Sequence, residues 1–581
     1  MYTLGINAYH GDASACIYRD GQLIAATEEE RILRVKHWAG LPVEAVRFCL
    51  DEAGIGLEDV DFITVSRDPW AKFSQKMLFA LRHGTSISSL RKRATHINGV
   101  RSIKEDVAHA LGCNGTPIRA QVKFIEHHRC HLASAFFASP FDEAAILSVD
   151  GMGDFTSTMR GVGKGNNIKV IDSISFPHSL GFLYTLFTQF LGFPHYGDEY
   201  KVMGLSSYGK PSLVTKVWDV VKLKTAGLFE LNLRYLSRVG QGDWMTLENG
   251  VPIIKPLYSE YFIEKFGPAR QEDELLTDFH KDLAASVQQV TEEVIFHLAA
   301  NLYKRTGMKN LCITGGVAQN SVANGKVVAN TSFERLYVPP AGYDGGTSVG
   351  SALFHYHQEL DNERGPFQHQ AFTGIHFSND DIGKYLAGCQ LEFEVRKLPD
   401  PKLLDTVTEC LINGGVAGWF QGRAEFGPRA LGNRSIIVDP RRADAKELLN
   451  SKIKRRESFR PFAPSILQEF TAEYFEEADD VPYMEKVFHI RPEKRSAIPA
   501  VTHVDGTGRL QTVSKEDAPR YHALISAFYK KTGVPILLNT SFNENEPIVN
   551  TPEHALSCFL RTKMDLLVLE NYVIIRNGQL H

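Results

Sequence analysis

Asn310-Leu311-Cys312-Ile313-Thr314-Gly315-Gly316-Val317-Ala318-Gln319-Asn320 decides the fold. The first five residues form a run of strand length, the glycine pair breaks it, and a helix start follows. Glycines let a ligand approach the backbone, and the first N–H groups of a helix lack partners within it. A strand–glycine–helix junction therefore suits an anion. The pattern recurs: a short strand at 335–338 runs into Pro339-Pro340-Ala341-Gly342-Tyr343-Asp344-Gly345-Gly346-Thr347-Ser348, with a helix expected from about Ser348. The longest helical pattern, 275–306, feeds the first junction.

Working outward, residues 2–7, 13–18 and 22–28 read as three strands joined through His10-Gly11-Asp12 and Arg19-Asp20-Gly21. Asp-Gly between apolar runs signals a hairpin. Residues 42–54 have helical periodicity, and Phe62-Ile63-Thr64-Val65-Ser66 reads as a strand. A three-strand meander followed by glycine-bearing junctions implies a duplicated α/β domain of the actin-like, sugar-kinase-like (ribonuclease H-like) type, its halves closing on a nucleotide. The GxGxxG dinucleotide fingerprint is absent. Candidate nucleotide contacts are Gly151, Gly153, Lys201, Gly315, Gly316, Asn320 and Gly345.

Between these landmarks lies Glu126-His127-His128-Arg129-Cys130-His131. Four-residue spacing puts His127 and His131 on one helical face. Ala144–Val149 reads as a buried strand with Asp150 at its end. An ordinary buried pair and a metal site both fit this spacing. Other local expectations are a solvated acidic run at Thr27–Arg31 and a helical insertion at about 70–112 that includes Leu90-Arg91-Lys92-Arg93. Further on come paired strands at 155–162 and 168–176, an amphipathic helix from Gly181 to Gly192, and a cleft-lining loop at Gly197–Leu205.

A chain of 581 residues should hold two or more domains. Turn signals place the boundary at 366–400, between a first domain (1–365) and a second α/β domain (401–581) with strands at 415–420, 435–438, 535–539, 565–569 and 572–576. Residues 421–460 hold eleven Lys/Arg against five Asp/Glu, an excess of six in a chain of net charge −4. Arg429 follows Gly427-Pro428 and Arg434 follows Gly432-Asn433, so both read as turn residues. That pattern favours a compact anion pocket over an extended nucleic-acid track. Asp505–Arg509 and Leu538–Asn543 read as polar loops. The eight scattered cysteines include no CxxC pair, which excludes a zinc ribbon and a dithiol motif and fits free thiols. No apolar stretch is long enough to span a bilayer, and a cytoplasmic protein is expected.

The ordered set Ser148-Val149-Asp150-Gly151, Glu199–Leu205, Thr314–Ala318, Asp344-Gly345-Gly346, Phe426-Gly427-Pro428-Arg429-Ala430-Leu431-Gly432-Asn433-Arg434-Ser435, Phe459-Arg460-Pro461-Phe462-Ala463-Pro464 and Leu538–Asn543 resembles the NodU/CmcH family of O-carbamoyltransferases, over nearly the whole chain. The resemblance implies an actin-like transfer domain and a YrdC-like domain that binds carbamoyl phosphate. ATP and carbamoyl phosphate would form a carbamoyl adenylate, and the carbamoyl group would pass to a hydroxyl of a small-molecule acceptor, as in secondary metabolite biosynthesis. It implies metal ligands at His127, His131, Asp150 and Asp344, with iron(II) as the metal and magnesium as a further divalent ion. It implies a carbamoyl-phosphate site at Arg429, Lys454, Arg509, Asn539 and Ser541, with His127, His131, Asp150, Lys454 and Arg429 in catalysis. His10 and Asp12 are candidate acceptor contacts, because Tyr9-His10-Gly11-Asp12 stands where many members carry an aromatic followed by His-Asp. No nucleic-acid or membrane partner is expected, and a homodimer stays open. The rival readings are a tRNA threonylcarbamoyl-type enzyme, a small-molecule kinase and a non-catalytic nucleotide-binding module.

Overall fold

The computed structural model describes residues 1–83, 102–113, 117–237 and 244–576. The chain divides into two compact units, Met1–Gln370 and Ala371–His581. The basic run 90–93 lies outside the described residues.

The first unit carries one sheet topology twice. β1 (Tyr2–Asn7), β2 (Ser14–Arg19), β3 (Gln22–Glu28), β4 (Phe62–Val65) and β5 (Gln121–Phe124) order as β3-β2-β1-β4-β5. β6 (Glu143–Gly153), β7 (Thr156–Lys164) and β8 (Asn167–Ser175) are followed by two small hairpins, β9 (Val221–Leu223) with β10 (Phe229–Leu231) and β11 (Met245–Glu248) with β12 (Val251–Ile254). β13 (Asn310–Thr314) and β14 (Arg335–Tyr337) then complete the order β14-β13-β6-β7-β8. In each sheet an antiparallel meander is followed by two parallel strands laid beside its first strand. The β2–β3 turn uses Asp20 (φ 50°) and Gly21 (φ 78°), the left-handed pair that a tight hairpin demands.

Two glycines seat the helix Thr347–Leu353. A Cβ on Gly5 in β1 would lie 2.2 Å from Ser348 O, and one on Gly350 would lie 1.9 Å from Cys130 O. The helix therefore packs backbone-close to β1 on one side and to the helix His127–Phe136 on the other. The turn Asp344–Gly346 that precedes it is carried to the same place. The long helix Asp278–Thr306 ends at Gly307 (φ 64°), as the sequence pattern requires.

Several expectations change. Glu28, Glu29 and Arg31 are buried, not solvated. Glu29 accepts hydrogen bonds from the Glu44 and Ala45 N–H groups at 3.1 and 2.7 Å, capping the helix Val43–Ala53 whose Pro42 has no side-chain donor or acceptor. Burial pushes the Glu29 carboxyl up to about 7. The segment expected to be amphipathic is the helix Leu180–Phe190, buried on nearly every side. Its polar groups are absorbed internally: Thr188 donates to Tyr184 O at 2.9 Å, and Gln189 accepts from Leu257 N at 2.9 Å. The supposed loop at 197–205 is mostly the helix Glu199–Ser206.

The second unit is built on one nine-stranded sheet. Its strands are β15 (Glu394–Lys397), β16 (Ala417–Phe420), β17 (Arg434–Val438), β18 (Ala463–Leu467), β19 (Lys486–His489), β20 (Thr507–Val513), β21 (Ile536–Ser541), β22 (Leu566–Leu569) and β23 (Tyr572–Ile575). They order as β15-β23-β22-β16-β17-β21-β18-β20-β19 over one large apolar core. The division between the units falls inside the expected boundary at 366–400, but from Ala371 onward that stretch belongs to the second unit rather than to a linker. The helix Asn379–Ala387 packs its apolar side into that core, and β15 pairs with β23.

Candidate functional site

In the first unit, His127, His131, Asp150 and Asp344 each present one ligand atom, all within 4.8 Å of one another, and all four residues are buried. The helix His127–Phe136 supplies the imidazoles one turn apart, with Nε2 atoms 3.1 Å from each other. Asp344 Oδ1 lies 3.4 Å from each of those nitrogens, and Asp150 Oδ2 is 3.7 Å from His127 Nε2. Asp150 sits within β6, and Asp344 opens a short helical turn. The helix start is fixed twice: Glu126 accepts from Arg129 N at 3.0 Å, and Asp154 accepts from His127 N at 3.0 Å. Gly316 N donates to Asp150 Oδ1 at 2.7 Å, so one glycine junction aims the carboxylate.

The donor set fits a borderline divalent metal. Two imidazole nitrogens and two carboxylates converge, and Asp344 Oδ1 accepts no hydrogen bond among the described residues. Burial opposes charge on His127, but Asp150 and Asp344 outweigh it and push its pKa well above the usual histidine range. Burial also opposes charge on Asp344, yet His10, with Nδ1 2.6 Å from Asp344 Oδ2, and the two ligand histidines hold that carboxyl well below its usual range. His131 shifts down, chiefly through burial. His128 points elsewhere: its ring meets Ser148 Oγ and Thr156 O, each at 2.9 Å.

Gly153 is required beside this cluster, because a Cβ there would lie 2.0 Å from His127 Cδ2. Gly153→Ala is expected to displace the ring and lower the affinity of the cluster for an added divalent metal by about 10-fold, the scale of disturbing a ligand's support. Metal analysis of the purified variant checks this.

The candidate nucleotide contacts divide. Gly151, Gly153, Gly315 and Gly316 flank the cluster, with Gly315 at φ 93°. Gly345 lies in the Asp344 turn, its carbonyl accepting from Ser14 Oγ at 2.6 Å. Asn320 is occupied: its Oδ1 caps the helix Ser321–Asn330 through Ala323 N at 3.0 Å, and its amide exchanges hydrogen bonds with Gln288. Lys201 pairs with Asp198 at 2.8 Å. Of the acceptor candidates, His10 reaches Asp344 and Asp12 reaches His37, which sequence spacing did not connect.

A second cluster belongs to the second unit. Lys454 ends a widened helical turn, Asn450–Lys454, and is buried. Its ammonium donates to Ser541 O, Asn543 O and Asn543 Oδ1 at 2.5, 2.8 and 2.6 Å, at the end of β21. Asn539 on β21 donates to Ala430 O at 3.2 Å and to Gln511 Oε1 at 2.9 Å, leaving its own buried Oδ1 without a partner among the described residues. Arg509 lies on β20 and the Leu538–Ser541 part of the second expected loop lies on β21, so both are strand residues. Burial first, then the charges of Arg429, Arg456 and Arg460, push Arg509 well below the usual arginine range. Cations gathered this way suit a multiply charged anion. Glu425 Oε1 accepts from Leu431 N, Asn433 N and Arg434 N at 2.7, 2.9 and 3.2 Å, and so shapes the loop that carries Arg429.

The basic stretch is therefore not uniform. Arg434 is buried on β17, donates to Gln421 O at 2.6 Å and Ile375 O at 3.0 Å, and stacks 3.6 Å over Phe420. Arg441 and Arg442 pair with Asp439 and Asp444. These three arginines hold the fold. Arg456 and Arg460, which sequence reasoning left in the general basic run, join Arg429 and Arg509. A signal existed for Arg460 in the Phe459–Pro464 motif.

"Carbamoyltransferase N-terminus" matches residues 2–353, and "Carbamoyltransferase C-terminus" matches residues 408–576. The chain belongs to the carbamoyltransferase family. This carbamoyltransferase is 41% identical to the uncharacterized protein sll1178 of Synechocystis sp., over 100% of this chain and 97% of the relative. It is 38% identical to nodulation protein NolNO of Sinorhizobium fredii, over 98% of this chain and 79% of that protein. A solved structure, component A of the (R)-2-hydroxyglutaryl-CoA dehydratase of Acidaminococcus fermentans, matches 62% of this chain and 100% of its own at 16% identity and a TM-score of 0.32, too low to carry an argument. Among the described residues, no helix is long and apolar enough to cross a membrane.

Proposed function

We propose that this carbamoyltransferase uses ATP and carbamoyl phosphate to make a carbamoyl adenylate, then transfers the carbamoyl group to a hydroxyl of a small-molecule acceptor. The observation that carries this reading is the pairing of two unlike sites in one chain: a buried His₂Asp₂ cluster beside glycine junctions, and a cluster of four arginines with a buried lysine. The duplicated β3-β2-β1-β4-β5 topology supports an actin-like nucleotide-using first unit, and the second unit is assigned a YrdC-like role.

In this scheme Arg429, Arg509, Asn539 and Lys454 with Ser541 hold carbamoyl phosphate. Hydrolysis releases inorganic phosphate and carbamate; the carbamate oxygen attacks the α-phosphorus of ATP, and pyrophosphate leaves. The arginine forks neutralise and orient the phosphate. Lys454, whose three N–H groups go to Ser541 O, Asn543 O and Asn543 Oδ1, fixes the end of β21 and contributes its positive charge beside the arginines. In the first unit His127, His131, Asp150 and Asp344 would hold a divalent metal, with iron(II) the proposed ion, and the metal would supply charge neutralisation and polarisation of an oxygen. Gly315 and Gly316 offer close backbone approach to nucleotide phosphate. The acceptor oxygen then displaces AMP from the carbamoyl carbon.

The test is mass spectrometry of products formed from ATP, carbamoyl phosphate and a mixed alcohol library. A gain of one carbamoyl group, dependent on both co-substrates and accompanied by AMP and pyrophosphate, is expected. Formation of a threonine-dependent adenylate without carbamoyl phosphate, or γ-phosphate transfer without pyrophosphate, would replace the reading.

A further inference from the structure

Asp12 and His37 meet across 25 positions: Asp12 Oδ1 lies 2.7 Å from His37 Nδ1. Asp12 is buried, whereas the His37 side chain keeps 31% of its surface exposed. The ring is held from several sides. Glu30 Oε2 accepts from His37 N at 2.9 Å, and the Tyr196 ring packs edge-on with centroids 5.2 Å apart. The bond through Nδ1 leaves Nε2 as the working nitrogen. A Cβ on Gly197 (φ 83°) would stand 2.5 Å from it, so glycine there keeps that edge clear.

The pair adjoins the cluster of the first unit. His10 and Asp12 share the loop after β1, and His10 reaches Asp344. The charge of Asp344 acts on Asp12, and the half-buried Tyr196 phenol, packed on Gly11, feels both Asp344 and Asp150. The backbone is strained on both sides of the contact. Tyr9 (φ 56°), Asp12 (φ 58°) and His37 (φ 55°) all adopt left-handed backbone without being glycine.

Resting on the two-step carbamoyl transfer above, we propose that His37 takes the proton from the acceptor hydroxyl, with Asp12 as its positioning residue. As the hydroxyl oxygen forms its bond to the carbamoyl carbon of the carbamoyl adenylate, its proton moves to His37 Nε2. The carbon–oxygen bond to the phosphate breaks, and AMP leaves with the bonding pair. Asp12 fixes the tautomer and pairs with the imidazolium, which later returns the proton to water. The charged and titratable groups facing His37 are Asp12, Glu30, Lys36, Glu199 and the Tyr196 phenol. Burial lowers the His37 pKa, but Asp12 and then Glu30 outweigh it and bring it to about 9. A base must be neutral, so transfer should rise with pH through that value.

The experiment uses the full chain with ATP, carbamoyl phosphate and glycerol as the probe acceptor. It reads carbamoylated glycerol by mass spectrometry and pyrophosphate release separately. His37→Gln should lower transfer by about 10²-fold or more while metal content and carbamoyl-phosphate-dependent pyrophosphate release persist. Asp12→Asn should shift the rising limb of the pH profile to lower pH and reduce its plateau, an effect a purely structural pair would not produce. Normal pyrophosphate release with His37→Gln transfer within about threefold of wild type, on an unchanged pH profile, would overturn the dyad alone. Failure of wild type to release pyrophosphate from carbamoyl phosphate and ATP would overturn the underlying reaction, and the dyad's role with it.

Discussion

His131→Ala is expected to strip the metal and reduce carbamoyl transfer by roughly 10³-fold, the scale of losing a preorganised electrostatic group. His131 is fully buried, with Nε2 3.1 Å from His127 Nε2 and 3.4 Å from Asp344 Oδ1. Alanine there leaves three of the four ligands, one imidazole and two close carboxylates. Pyrophosphate release from carbamoyl phosphate and ATP should persist, because the proposed scheme assigns that step to the second unit. Elemental analysis decides: wild-type metal content in the variant would sink the ligand assignment. Chelation of the wild-type protein should lower its unfolding midpoint, since a metal bound only by the folded state stabilises it by mass action.

Arg429→Ala should lower carbamoyl-phosphate-dependent pyrophosphate release by roughly 10²–10³-fold and leave transfer from supplied carbamoyl adenylate intact. Arg429 stands on a loop shaped by Glu425 and faces the charge of Arg509. Removing one fork of a phosphate clamp costs binding and orientation together. Loss of both steps would argue against separable sites. Arg509→Met sharpens the point through stability. Arg509 has its pKa depressed in the fold, so its charge is less favourable there than in the unfolded chain. The variant should therefore lose activity yet raise the urea midpoint, whereas a merely structural arginine would lower it.

The histidine pair and the strand before Asp150 were legible because helix and strand periods fix which side chains share a face. Asp344 came only through family resemblance: 213 positions separate it from His131, and no periodicity spans that gap. The Asp12–His37 contact was hidden for the same reason, since two loops meet only once the meander has folded. Arg434 was misread because a guanidinium satisfied by carbonyls and one awaiting a phosphate look alike in a Gly-Asn-Arg turn. The buried helix Leu180–Phe190 was misread because Thr185, Thr188 and Gln189 resemble a wet face. In the fold each finds an internal partner: Thr185, for example, donates to Glu199 at 2.5 Å.

The seat made by Gly5 and Gly350 also sets a schedule. The Asp344 turn and the helix after it reach β1, the first strand made, only near the end of synthesis of the first unit. Asp344 follows Asp150 by 194 positions, which at ordinary elongation rates is a delay of about 10–40 s. During that interval the nascent chain owns two imidazoles and one carboxylate, with no fourth ligand and no wall on one side. Tight capture of a divalent ion by the four proposed ligands would have to wait for the finished domain, so the choice of ion would fall to the folded protein and the ions around it, not to the growing chain.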